Sequence, residues 1–192
     1  MIFWILWSAA LTAIVYPDID IYLDSVMYRH LLIQIPSLIL LGYLGGKRFL
    51  KGSAPTGIER ELNARGFSGL IFFTGVLIFW MLPLSIDSTV SSDLRDNLMH
   101  ICMLFAGIFL ASSERTAPPV LKSAYEIYFT AMIIAMGNIY AVYSELICAS
   151  YTLEQQHQTG YFLLYLSPVL FFAVFIRSFR RMRHSGGSHE SH

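Results

Sequence analysis

The sequence predicts an all-α fold, a polytopic membrane bundle of about six transmembrane helices with both termini cytoplasmic. Three observations carry that prediction. Of 192 residues, 55% are hydrophobic and only 14% charged, against about 25% charged in a soluble domain. The apolar residues gather into runs near the roughly 20 residues a helix needs to cross a bilayer core, and no run alternates as barrel strands do. The charges that remain sort by sign into alternate connections.

The first run, about 2–16, lacks a basic leader region, and Tyr16-Pro17-Asp18 is a poor small-residue cleavage site, so it reads as a retained span. Further spans follow at about 26–46, 67–84, 97–112, 120–147 and 160–177. Backbone groups in lipid must be satisfied within each segment, which makes these helices. The first and fourth are short and imply local thinning of the bilayer. Residues 1–177 form one transmembrane domain, and 178–192 form a polar His/Ser/Gly tail expected to be disordered.

Eleven of the 13 Lys and Arg residues fall at 47–65, at 115–122 and after the last span. With six spans these connections share one side, cytoplasmic by the positive-inside rule. The opposite side is acidic, with Asp18, Asp20, Asp24, Asp87, Asp93, Asp96, Glu145 and Glu154. Two cysteines, Cys102 and Cys148, are too few for a disulfide scaffold. No internal repeat, nucleotide-binding glycine pattern or nucleophile elbow is present, so neither an enzyme nor a secondary transporter is expected. No nucleic-acid partner is expected of so membrane-embedded a chain.

In this topology His30, His100 and His157 begin spans two, four and six, near the outer face. Residues three or four apart share a helix face, so Met27 pairs with His30, and Asp96, His100 and Met103 form a patch beside Met99. Thioethers select Cu(I), and imidazole suits copper, zinc or haem iron. Asp96 and Met99 would support the ligands, and a carboxylate beside a ligating imidazole fixes its tautomer. Each residue alone reads more simply as an interfacial histidine or a packing methionine. Three histidines at one depth against an acidic surface point to a shared site.

The segments "SVMYRHLLIQIPSLILLG", "LIFWMLPLS", "DNLMHICMLFAGIFL" and "YTLEQQHQTGYFLLYLSP", in this order and spacing, resemble successive motifs of the CtaG-like cytochrome c oxidase assembly factors. The likeness runs from about 25 to 177. It implies a multi-pass bacterial plasma-membrane protein that helps assemble a haem–copper respiratory oxidase, with copper handled at the outer face. It points to His30, His100, Glu154 and Gln155, but not to His157. The family often has a second histidine near each of the first two, where this chain has Val26 and Asp96, so Met27, Met99 or Met103 would supply the extra donors.

The expected metal ligands are therefore His30, His100, Met27 and Met103, with Asp96, Met99, Glu154, Gln155 and His157 around them. The alternatives are a small haem b protein, with His30 and His100 ligating the iron from facing helices, and an accessory subunit of a larger membrane complex.

Overall fold

The computed structural model describes residues 2–51, 61 and 63–186. Among them the fold is all helical, with no strand. Four helices are long and apolar enough to cross a membrane, and up to six if each of two bent pairs counts as one span. Within the domain expected over 1–177, two compact units are distinguishable. One comprises residues 1–117 and 144–156, the other 118–143 and 157 onward.

In the first unit, α1 (Ile2–Ile14) turns by 58° into α2 (Pro17–Asp24). The extended Tyr16 precedes Pro17, which suits the first helical turn because it has no N–H to leave unsatisfied. Asp18 and Asp20 then face the positive end of the α2 dipole. α3 (Met27–Leu50) opens with a widened π turn over His30–Gln34. Pro36 explains it: proline cannot donate to the preceding turn and its ring crowds the carbonyl four residues back, and a wider turn relieves that crowding. Trp7 of α1 donates its indole N–H to the Leu41 carbonyl at 2.8 Å, and Gly45 leaves room for that ring.

α4 (Phe67–Met81) bends by 69° into α5 (Pro83–Val90), and α6 spans Asp93–Thr116. The expected fourth span was short; its helix has 24 residues, because polar turns at both ends continue the helix beyond the apolar run. α3 and α6 pack backbone to backbone. A Cβ at Gly42 would strike the Leu104 carbonyl, and one at Gly107 would strike the backbone of Ile39 and Tyr43. Such close approach through small residues is how helices associate where lipid removes the hydrophobic incentive.

The contacts Gln34 to His100, Gly42 to Leu104 and Tyr43 to Glu114 advance together along both chains, so α3 and α6 run parallel. α4 lies against α6, where Gly69 packs on Ser113 and Phe72 on Phe109, 4.5 Å between ring centroids.

In the second unit, α7 (Pro119–Val142) packs on the later part of α8 (Leu153–Gly186). Gly160 lies against Ala141, and Gly137 against Leu163 and Leu164. Arg181 forks onto Glu126 at 2.9 and 3.0 Å. Helix α8 starts earlier than the expected 160 because Thr152 and Gln155 form a capping box: Thr152 Oγ1 accepts from Gln155 N at 3.2 Å, and Gln155 Oε1 accepts from Thr152 N at 3.5 Å. It also continues through Gly186, so the tail boundary expected at 178 falls inside a helix; residues 187–192 lie outside the described residues.

Candidate metal centre

Three elements of the first unit each contribute a polar pair four residues apart: Asp20 and Asp24 on α2, His30 and Gln34 at the start of α3, and Asp96 and His100 on α6. Four-residue spacing puts each pair on one face, and the pairs meet in two layers. In the upper layer His30 Nδ1 lies 2.8 Å from Asp24 Oδ1. In the lower layer Asp20 Oδ1 lies 3.2 Å from His100 Nε2 and accepts from Gln34 Nε2 at 2.6 Å. Asp96 Oδ2 stands 3.6 Å from the same His100 nitrogen, and Gln34 Nε2 lies 3.1 Å from it. Ligand atoms of Asp20, Asp96 and His100 fall within 4.8 Å of one another.

The cluster is largely buried and incompletely satisfied. His30, Gln34, Asp96 and His100 are all buried, at 0 to 5% exposure, while the side chains of Asp20 and Asp24 are 19% and 16% exposed. His30 Nε2, Gln34 Oε1, Asp96 Oδ1 and His100 Nδ1 have no hydrogen-bond partner among the described residues. A buried polar atom without a partner costs about 1–3 kcal/mol, so four in one region single it out as a candidate site.

His100 Nε2 has the Gln34 amide nitrogen at 3.1 Å and Asp20 Oδ1 at 3.2 Å; as a lone pair it accepts from the amide, and as an N–H it donates to the carboxylate. Two carboxylate oxygens and one imidazole nitrogen then converge, a donor set suited to a divalent first-row ion. Asp24 orients the His30 ring as carboxylates orient ligating histidines.

The residues between α7 and α8 that belong to this unit, Ser144–Gln156, are held by two polar clips. Asp87 of α5 accepts from Ala149 N and Ser150 N at 2.9 and 2.8 Å. Gln156 accepts from Ile147 N at 2.8 Å and donates to Glu145 O at 3.2 Å. Cys148 and Tyr151 are buried in this segment, and the Tyr151 hydroxyl has no partner. Burial first and the Asp87 charge second push the Cys148 thiol up to about 12. Burial, and then charges that include Asp24 and Asp96, push the Tyr151 phenol up.

The expected site residues separate accordingly. His100 and Asp96 lie in the cluster, each offering a ligand atom. His30 pairs with Asp24 and is not among the three residues whose ligand atoms converge. Met27, Met99 and Met103 are fully enclosed on the helices that carry these residues. Gln155 is engaged in the capping box and Glu154 is exposed on the same turn. His157 sits on α8 in the second unit, where its Nε2 meets the Tyr143 carbonyl just beyond α7, at 3.0 Å. Asn138 donates within its own helix, to Ile134 O at 2.9 Å.

Asp20, Asp24 and Gln34 were not singled out as site residues. The signal available was their spacing: each lies four residues from another polar group in otherwise apolar surroundings. No family model, curated protein or solved structure matches this chain.

Proposed function

We propose that this chain is a multi-pass membrane protein that holds a transition-metal ion in the Asp20–Asp96–His100 cluster and serves the assembly of a haem–copper respiratory oxidase. Copper is the cargo that the CtaG-like resemblance implies, and the outer face of a bacterial plasma membrane is the place. The observation that carries the metal reading is the convergence of three ligand atoms within 4.8 Å, two of them on the buried Asp96 and His100 and one on the partly exposed Asp20. The collinear motifs carry the oxidase reading. The basic ends of α3 and α6, with Lys47, Arg48 and Arg115 opposite the acidic histidine end, support a cytoplasmic location for those ends.

A haem b between His30 and His100 is less well supported. α3 and α6 touch backbone to backbone at Gly42 and Leu104, one turn beyond His100, which leaves little width for a porphyrin between them. The accessory-subunit reading predicts no bound metal at all.

Metal analysis and an optical spectrum after mild purification test the proposal. Bound copper or another first-row ion, lost in His100→Ala together with oxidase maturation, is the expected result. Normal oxidase activity and unchanged metal content in the His30/His100 double alanine variant would leave only the structural role.

A further inference from the structure

The carboxamide of Gln34 occupies an unusual position. Its nitrogen lies 2.6 Å from Asp20 Oδ1 and 3.1 Å from His100 Nε2, two of the three atoms that would ligate an ion. Its oxygen is buried and has no partner. An N–H donor and a cation cannot both sit between the same two lone pairs, so a bound ion must displace the amide nitrogen. Half a turn of the carboxamide exchanges nitrogen for oxygen, which has lone pairs to offer. That torsion is broad and roughly two-fold.

We infer that Gln34 is the fourth ligand of the centre, its Oε1 rotating onto a divalent cation bound by Asp20, Asp96 and His100. This rests on the metal-binding reading above and adds the charge and geometry of the ion. Two carboxylates bring two negative charges into a region with no compensating lysine or arginine in the contacts described. A divalent ion neutralises them, whereas Cu(I) leaves one negative charge in a largely buried site, where unpaired charge is expensive. Three oxygens and one nitrogen also disfavour Cu(I), which prefers sulfur. Zn(II), Co(II) and Cu(II) fit, and four protein ligands close the coordination shell in the manner of a holding site rather than a hydrolytic one. The π turn supports the assignment, since it shapes the segment from His30 to Gln34 and such turns recur at functional positions.

Titration of the purified full-length protein in detergent with Zn(II) and with Co(II) separates the possibilities, with circular dichroism and gel filtration as controls for folding. Wild type should bind both, and Co(II) should give the intense visible bands of a four-coordinate site. Gln34→Leu should weaken Zn(II) binding at least about tenfold and alter the Co(II) bands, because water must take the fourth position. Gln34→Glu should bind at least as tightly as wild type, since it presents oxygen without rotation. A leucine variant that binds as well as wild type with unchanged Co(II) bands would overturn the role of Gln34 and leave the metal reading standing. No binding by wild type would remove both. If the leucine variant does not fold, weakened binding by Gln34→Glu overturns the assignment.

Discussion

At one end of the α3–α6 pair a buried amide uses every polar atom it has; at the other a buried amide does not. Asn63 donates to Ser112 Oγ and Ser113 Oγ at 3.1 and 3.2 Å and accepts from Gly69 N at 3.0 Å. Beside it, Tyr43 donates to Glu114, and Lys47 lies 3.3 Å from the same carboxylate. At the histidine end, Gln34 leaves its oxygen unused, and His30, Asp96 and His100 each leave an atom unmatched. Both ends belong to the same two helices and one unit. Asn63 joins α4 to α6 with every bond made, whereas the Gln34 end keeps unmatched atoms that the proposed ion would engage.

The strongest way to break this comparison is to part the helices that both ends share. Gly107→Leu places a side chain where the Ile39 carbonyl and Tyr43 nitrogen lie. Overpacked cores lose about 1–3 kcal/mol when neighbours can shift, and backbone shifts less readily than a side chain. The variant should lose most of its folded yield in detergent and its metal binding together. A fully folded Gly107→Leu would mean that the contact is looser than the Gly42 and Gly107 geometry implies.

A smaller effect sharpens the contrast. Asn63→Leu strands two buried hydroxyls and the Gly69 N–H, at a cost of about 1–3 kcal/mol; it should lower the thermal midpoint and leave Zn(II) affinity unchanged. His100→Leu should do the reverse. It removes Nδ1, which has no partner, and Nε2, whose neighbours Gln34 and Asp20 keep their own bond to each other, so stability should fall by less than in Asn63→Leu, while ion binding disappears. If both variants lose stability equally and binding survives in each, the histidine end is ordinary packing.

How far the sequence foretold this depends on the kind of signal. Long apolar runs point to the helices, because lipid allows few alternatives, but the bends at Tyr16–Pro17 and Leu82–Pro83 were not foretold, and the second falls inside the expected span 67–84. Helix ends are harder. α8 begins at Leu153 through the box of Thr152 and Gln155, the second of which the family resemblance had marked as a site residue. Asp96 and His100 were legible together because they lie on one helix face. Asp20 and Asp24 were read as acidic loop residues, because only the turn between α1 and α2 brings them against His30 and His100. Gln34 lies inside an apolar span, and its meaning depends on a nitrogen 66 positions away in the chain.

The gentlest test uses pH and the segment that shares the histidine end. Cys148 is buried, and its thiol is pushed from an ordinary 9.0 up to about 12 by burial and by Asp87. Below about pH 9 the thiol keeps its proton whether the chain is folded or not, so it adds no pH dependence there. Between about 9 and 12 the unfolded thiol ionises while the folded one does not. The folded state then binds more protons, and stability must fall as pH rises through that window. Tyr151, pushed up from 10.0 by burial and then by charges including Asp24 and Asp96, adds to the slope in the same sense. Thermal midpoints between pH 8 and pH 11 should therefore fall more steeply for wild type than for Cys148→Ala, and more steeply than for Tyr151→Phe. Parallel curves for all three would mean that water reaches this segment freely. The burial of the neighbouring histidine end would then lose one of its supports.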